Sequence, residues 1–451
     1  MKNHLQFLNH ASFLIRNEDF IFLCDPWMEG QAFNKGWMLL DQSTSDEDLL
    51  NTLHHEKKPV FIWYSHEHSD HFSISFIRKL KEKDIDVHFI FQETNDKRVV
   101  EYLKKQNQKI SVLKNGVAFQ LSANSSIKIS SWRGGDSLSL IQFDKFTILN
   151  INDCIVETDK DINRINKFLK HVHAKKIDIL FTQFGYANWI GNESDSNKRL
   201  KSAMNKLDRI GKQIAEINPN SAVLFASFVY FSHIENFYLN DTQNTPERVR
   251  NYLGLKEYQE RIFFLKPNDS IELEPNFKDR LKNISPKAEE HWNKKFSLIK
   301  PNVEINIETP SIDRIGKEVS NYKWRVFKNF GGLFTILELM NVIKPLRIKL
   351  TDSQKVVTLS YLKKFKTDKD LNNYDLEMSS EVLCFSVTFD YGFDTTHVNG
   401  RFQVRDDNSI GKLFYFAGPQ TLLKNGFGLG HPIKTVKELT RLILRNIIGL
   451  K

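Results

Sequence analysis

Cysteine is almost missing from this chain: Cys24, Cys154 and Cys384 are the only three among 451 residues. So few thiols, so widely spaced, build no disulfide framework and point to a reducing compartment. No run of about 18 apolar residues is present to cross a bilayer. The opening Met1-Lys2-Asn3-His4-Leu5-Gln6 lacks the apolar segment of a signal peptide, so a cytoplasmic protein is expected. Repeats and low-complexity tracts are absent. So is any run of basic residues interleaved with aromatics, and nucleic acid is therefore not an expected partner. The 64 basic residues exceed the 55 acidic ones by +9, which favours an anionic small-molecule substrate over a polyanion. Hydrophobic residues make up 40% and aromatic residues 12%, an ordinary globular mix. At this length two domains are the natural expectation.

What the chain does have is His66-Glu67-His68-Ser69-Asp70-His71, directly after the apolar run Val60-Phe61-Ile62-Trp63-Tyr64. Pro59 and Ser65 bound that run, so it reads as a buried strand with the cluster in the loop at its C-terminal end, where sites are built. Imidazole and carboxylate at this spacing suit zinc, with iron or manganese as alternatives. His66 and His68, two apart in an extended loop, turn to one side as joint coordination requires. Further strands are expected at 87–91, 127–130, 146–150, 177–181 and 222–226, with helices at 73–81, 162–174 and 195–218, the last stopped by Pro219. Strand, crossover and strand in repetition point to a layered α/β arrangement. Prolines at 275, 286, 301 and 310 mark a boundary region with a helix at 287–296. After it, 382–389 and 411–418 read as strands and 434–448 as an amphipathic helix, an α+β pattern. The expected division is 1–275, a linker or boundary helix at 276–300, and an accessory domain at 301–451.

The hexapeptide resembles the signature of the metallo-β-lactamase superfamily. Asn9 to Ile15 and Phe22 to Trp27 are similar to the first hairpin of the branch holding ascorbate-6-phosphate lactonase and N-acylphosphatidylethanolamine phospholipase D. Asp25 to Trp37, Asn150 to Cys154 and Thr182 to Ala187 resemble the metallo-β-lactamase-like part of CMP-N-acetylneuraminate hydroxylase. That family also carries a Rieske centre, which needs paired Cys and His motifs. None of the three cysteines here lies in such a pair, so the hydroxylase activity is not carried over.

The resemblance implies an αββα sandwich and one or two divalent metal ions. His66 and His68 would bind the first, and Asp70 and His71 the second, with Asp153 bridging and His233 as the last histidine of the pattern. For Asp153 the other reading is a turn or capping carboxylate, and for His233 a hydrogen-bonded histidine in a half-buried turn. His10 is similar to a histidine that supports the family's pocket, with a polar core role as the alternative. The family's third histidine for the first metal is missing, since 129–137 reads Ile-Ser-Ser-Trp-Arg-Gly-Gly-Asp-Ser. Either Asp136 or a water completes that site, or the second binds alone. His88, inside an apolar strand, reads as a core residue.

Metal-activated water is the chemistry implied, with Asp70 and Asp153 orienting it. Trp27, Trp37, Arg133, Tyr186 and Asn188 are the expected substrate contacts: aromatic faces for a ring, the guanidinium for an anion. Core packing for the tryptophans and an ordinary surface role for Arg133 are the competing readings. Cys154 reads as a small core residue rather than a nucleophile. Three functions follow: a metal-dependent hydrolase of a phosphate- or sugar-bearing ester, lactone or phosphodiester; an iron-dependent oxygenase or diiron oxidase; or a non-catalytic metal-binding module. Neither the substrate nor the oligomeric state is legible.

Overall fold

The run Val60–Trp63 is a strand hydrogen-bonded in parallel to Ile21–Cys24 on one side and Val87–Gln92 on the other. A strand covered on both faces has no place for alternating polarity, which is why all four of its residues are apolar and buried. The computed structural model describes residues 3–143, 146–302, 309–368, 370–438 and 440. The strand sits inside a seven-stranded sheet, in the order Ser270–Glu272, His4–Asn9, Ser12–Arg16, Ile21–Cys24, Val60–Trp63, Val87–Gln92 and Lys109–Leu113. A second seven-stranded sheet runs Ile262–Phe263, Ser221–Phe225, Ile179–Gln183, Phe146–Asn152, Ser137–Phe143, Ser125–Ser131 and Ala118–Ser122.

Aromatic rings join the two sheets. Phe13 stacks on Phe181 with centroids 4.8 Å apart and tilts against Phe225 at 6.4 Å, and Phe20 stacks on Phe143 at 6.2 Å. On the other face of the first sheet, Leu14, Leu23, Ile62 and Phe89 share one core with Leu50 and Leu53, Phe76 and Leu80, and Val100 and Leu103, from three helices. Those helices, Asp46–His55, Ile74–Glu82 and Arg98–Lys105, form one outer layer. The helix Ser196–Ile217 is tied to the second sheet where Thr182 Oγ1 donates to Gln213 Oε1 at 2.8 Å. Beside it lies Asp159–His171, begun by a reciprocal cap between Thr158 and Asp161. The layering is the αββα sandwich that the resemblance implies. A small third sheet joins Val229–Phe231, Trp37–Leu39 and Gln31–Ala32.

By compactness the chain divides into two units, one of 1–187, 196–232 and 239–301, the other of 188–195, 233–238 and 302–451. The helix expected at 287–296 is longer, Phe277–Ser297, and runs through Pro286. It packs within the first unit, where Trp292 stacks on Phe228 at 3.8 Å and donates Nε1–H to the Leu265 carbonyl at 2.8 Å.

In the second unit two expected strands prove to be helices, Ser380–Thr388 and Ser409–Lys424. Short apolar runs buried all round carry no usable period, and 382–389 is such a run, with Val382, Leu383, Ser386 and Val387 all covered. In the other, Leu413, Phe416, Ala417 and Gln420 are buried and repeat at helical spacing. The strands lie elsewhere, in a five-stranded sheet ordered Lys366–Asp368, Lys355–Leu359, Leu346–Leu350, Leu376–Met378 and Gln403–Val404. The unit is still α+β. Its core closes on the Phe416 carbonyl, which accepts from the hydroxyls of Tyr322 at 2.9 Å and Tyr361 at 2.6 Å. Of the helix expected at 434–448, 434–438 and 440 are helical, and the remainder lies outside the described residues. Among the described residues no helix is long and apolar enough to cross a membrane.

Phe13→Ala removes a fully buried ring from the seam between the sheets. It is expected to cost about 3–5 kcal/mol in urea unfolding, the usual range for a buried phenylalanine. A second expectation concerns pH. Burial holds His397 below the ordinary imidazole value against the pull of Asp394, so the unfolded chain takes up the proton first. Stability from this group is present above about pH 6.5 and is lost as pH falls through the lower folded value. Thermal unfolding between pH 7.5 and 5 should therefore show a smaller drop for His397→Asn than for the parent.

Candidate metal centre

Strand ends supply the centre, and several of them turn through backbone conformations that side chains rarely adopt. His10, Asp25, Asn152 and Ala226 have φ of 40°, 41°, 44° and 50°. Such residues persist only where surrounding contacts over-determine them. Here the Ala226 N–H donates to the His10 carbonyl at 2.9 Å, and Asp25 is held by four donors. These are Ser65 N–H at 2.7 Å, Ser65 Oγ–H at 2.7 Å, Asn152 Nδ2–H at 2.5 Å and His71 Nδ1–H at 3.0 Å. Asp25 is completely buried.

That network sets the histidine tautomers. A carboxylate only accepts, so the proton facing Asp25 is on His71 Nδ1 and Nε2 is left to point at a ligand. Ser65 spends its single proton on Asp25, so at 2.8 Å it accepts from His66 Nδ1, and His66 likewise presents Nε2. Asn152 adds a donation to Ser65 Oγ at 3.0 Å. The Ser65 carbonyl is pinned by Ser137 Oγ at 2.7 Å and Gln92 Nε2 at 3.4 Å.

Two groups of ligand atoms result, each with its members within 4.8 Å of one another: His66, His68 and Asp153, and His10, Asp70 and His71. His66 Nε2 and His68 Nδ1 stand 2.9 Å apart. In the second group, His10 Nε2 donates to Asp70 Oδ2 at 3.2 Å, and His71 Nε2 lies 3.3 Å from the same oxygen. The groups meet where His71 Nε2 lies 3.5 Å from Asp153 Oδ2. Asp70 Oδ1, His71 Nε2 and His10 Nδ1 are buried without a hydrogen-bond partner. Orphaned donors and acceptors of this kind are costly unless something binds them. Six nitrogen- and oxygen-bearing side chains gathered in this way fit one or two divalent cations.

Without a cation the surrounding carboxylates favour a second proton on His71, at the Nε2 that a bound ion would take over. Burial opposes ionisation of Asp70, but His71 and His10 more than offset it and hold the carboxyl well below its usual range. Burial likewise disfavours the His71 imidazolium, and Asp70, Asp153 and Asp25 override it, raising that group well above its usual value.

His10, expected in support, stands inside a ligand group. Asp136 lies in neither, and the third place in the His66 and His68 group is taken by Asp153. His233 is in the second unit, where its Nδ1 accepts the Glu235 N–H at 3.1 Å and its backbone N–H is held by Asn236. Asn188 is also in the second unit and half-buried. His88 pairs with Ser111 Oγ at 2.8 Å within its sheet. Burial pushes the Cys154 thiol up, as do Asp136 and Asp153, which leaves it a poor nucleophile.

The expectation that Trp27, Trp37 and Tyr186 offer open faces to substrate gives way: they are 2%, 2% and 4% exposed. Their surfaces are used in packing. Trp27 meets the His10 ring edge-on at 5.8 Å, and Phe33, itself against Trp37, meets the His68 ring at 5.5 Å. Tyr186 donates its hydroxyl to the Leu239 carbonyl. Arg133 is engaged with Asp161 at 3.0 Å and the Ile155 carbonyl at 2.9 Å.

Sequence reasoning gave no role to Asp25, Ser65, Asn152 or Gln183. Their signal was position: each stands at or just past the C-terminal end of a parallel strand, where Ser65 and Asn152 converge on the Asp25 carboxylate and Gln183 reaches Asp153. Asp25→Asn removes acceptor capacity from a group with four donors and frees the His71 tautomer. It should lower zinc affinity by about 10–100-fold, the usual effect of disturbing a ligand's supporting partner, in competition titrations on protein whose circular dichroism matches the parent.

No family model matches the chain. It is 21% identical over 372 residues to the cytidine monophosphate-N-acetylneuraminic acid hydroxylase of Danio rerio, covering 76% of this chain and 59% of that one. To the hydroxylase of Xenopus laevis it is 30% identical over 158 residues, covering 33% and 25%. The matched part is thus well short of the full length of these relatives. Among solved structures, CmlA, a diiron beta-hydroxylase from Streptomyces venezuelae, aligns with a TM-score of 0.42 at 12% identity, covering 60% of this chain and 54% of that one. The chain is similar in sequence to part of these hydroxylases.

Proposed function

We propose that the first unit is a metal-dependent hydrolase acting on a phosphate- or sugar-bearing small molecule with an ester, lactone or phosphodiester bond. The observation that carries it is the pair of ligand groups meeting at His71 and Asp153, with buried Asp70 Oδ1 and His71 Nε2 lacking partners. His66, His68 and Asp153 would hold one divalent ion, and His10, Asp70 and His71 the other. A bound divalent cation lowers the pKa of a coordinated water to about 7 and polarises the bond to be cleaved.

The protein's own part is preorganisation. Asp25 and Ser65 lock the two imidazoles that present Nε2, so little reorganisation is needed when an ion or substrate arrives. Asp70, kept ionised by His71 and His10, and Asp153 are the acceptors able to orient a water and take its proton. An anionic substrate suits the net charge of +9.

A second reading, an iron-dependent oxygenase, is favoured by the names of the sequence relatives, all hydroxylases of a CMP-linked sugar acid in the two comparisons given above. A histidine and carboxylate donor set serves iron as readily as zinc. Elemental analysis of protein purified without added metal separates the two. Zinc or manganese at about one to two atoms per chain, lost in Asp70→Ala with His71→Ala and accompanied by phosphodiester or lactone hydrolysis, is the expected result. Iron with oxygen uptake moves the assignment to the oxygenase, and absence of any bound metal rejects both.

A further inference from the structure

Asp153 has two carboxylate oxygens in different surroundings. Oδ2 faces His71 Nε2 at 3.5 Å, while Oδ1 accepts a hydrogen bond from Gln183 Nε2 at 3.1 Å. Gln183 ends the strand Ile179–Gln183, and its Oε1 accepts in turn from Lys206 Nζ, on the helix Ser196–Ile217. An amide has a donor end and an acceptor end of nearly equal shape, so its orientation is decided by its neighbours. A lysine ammonium only donates. It therefore forces the amide oxygen toward itself and the NH2 toward Asp153; the opposite orientation sets donor against donor at one end and oxygen against carboxylate at the other.

We propose that Lys206 and Gln183 are positioning residues for the metal centre: Lys206 orients the Gln183 amide, which occupies Asp153 Oδ1 and reserves Oδ2 for metal coordination. The inference rests on the metal reading given above and adds to it the choice of coordinating oxygen. Two observations support the arrangement. Gln183 is buried to within 8% of full cover, so few alternative partners reach it. The ammonium sits where Asp153, Glu157 and Asp136 all favour its charge. Burial and Arg209 nevertheless bring its pKa down to about 8, so the group is charged at neutral pH while lying close to other buried groups.

The test uses the full-length protein, zinc competition titrations, and the visible absorption of its cobalt(II) form, which reports ligand geometry. Lys206→Met removes the donor and keeps the apolar stem; it should weaken zinc binding roughly tenfold or more and alter the cobalt bands. Lys206→Arg restores a donor-only group and should return both toward the parent. Gln183→Leu, which leaves Asp153 Oδ1 without its donor, should reproduce the Lys206→Met spectrum. The comparison is made on variants whose circular dichroism and thermal midpoint match the parent. If Lys206→Met and Gln183→Leu both bind zinc and cobalt as the parent does, the positioning role is overturned while the metal centre stands. If Lys206→Arg fails as badly as Lys206→Met, packing and not donation is what Lys206 provides, and the proposal is likewise overturned. A parent protein that binds neither metal rejects the metal reading itself and this inference with it.

Discussion

A single buried carboxylate organises the site. Asp25 sits past the end of the strand Ile21–Cys24 with no exposure to solvent. An unpaired anion there would be prohibitively costly. Its four donors come from Ser65 after the strand Val60–Trp63 of the first sheet, from His71 in the histidine-rich loop, and from Asn152 at the end of a strand in the second sheet. Satisfying one charge thus ties together both sheets and the histidine-rich loop. Nearby, Asn150 Nδ2 donates to Cys24 Sγ at 3.2 Å, a further polar link across the same seam. The tautomers of His66 and His71 follow from it, and with them the direction in which lone pairs are aimed.

The aromatic residues take a supporting place in this scheme. Trp27 and Phe33 pack against His10 and His68 edge-on, and Trp37 backs Phe33. Rings wedged in this way limit the rotation of the imidazoles they touch, which is a form of preorganisation supplied by packing instead of hydrogen bonds. A centre so held needs no large conformational change to receive an ion. It also has little tolerance for change at residues that touch no ligand, because each supports a neighbour whose direction matters.

In the second unit a different rule applies. Its core is built on tyrosine hydroxyls sharing the Phe416 carbonyl and on Glu338, buried and bound by the Tyr361 N–H at 2.6 Å. Arg401, fully buried, is paired with Glu235 at 2.7 Å and Glu381 at 2.8 Å. Polar groups placed inside a core must all be matched, and such matching specifies one arrangement more than it adds stability.

Local signals carried much of the first unit. The buried strand 60–63, the helices near 74–82 and 196–217, and the layered α/β pattern were all legible because period, caps and breakers act over a few residues. The histidines and aspartate within 66–71 that the structure gathers into the candidate centre were legible for the same reason: their spacing is itself the signal. The helices 380–388 and 409–424 were not, because residues buried on every side erase the period that distinguishes helix from strand. Nor could spacing place His10 with Asp70 and His71, or Asp153 with His66 and His68, since those meetings are made by sheet register between distant parts of the chain, 60 residues apart for His10 and Asp70. The sequence by itself determined which donors are available and that strand ends would present them. Only the tertiary structure decided which donors face one another and which oxygen of Asp153 is already taken, because those depend on distances between strand ends that no local preference encodes.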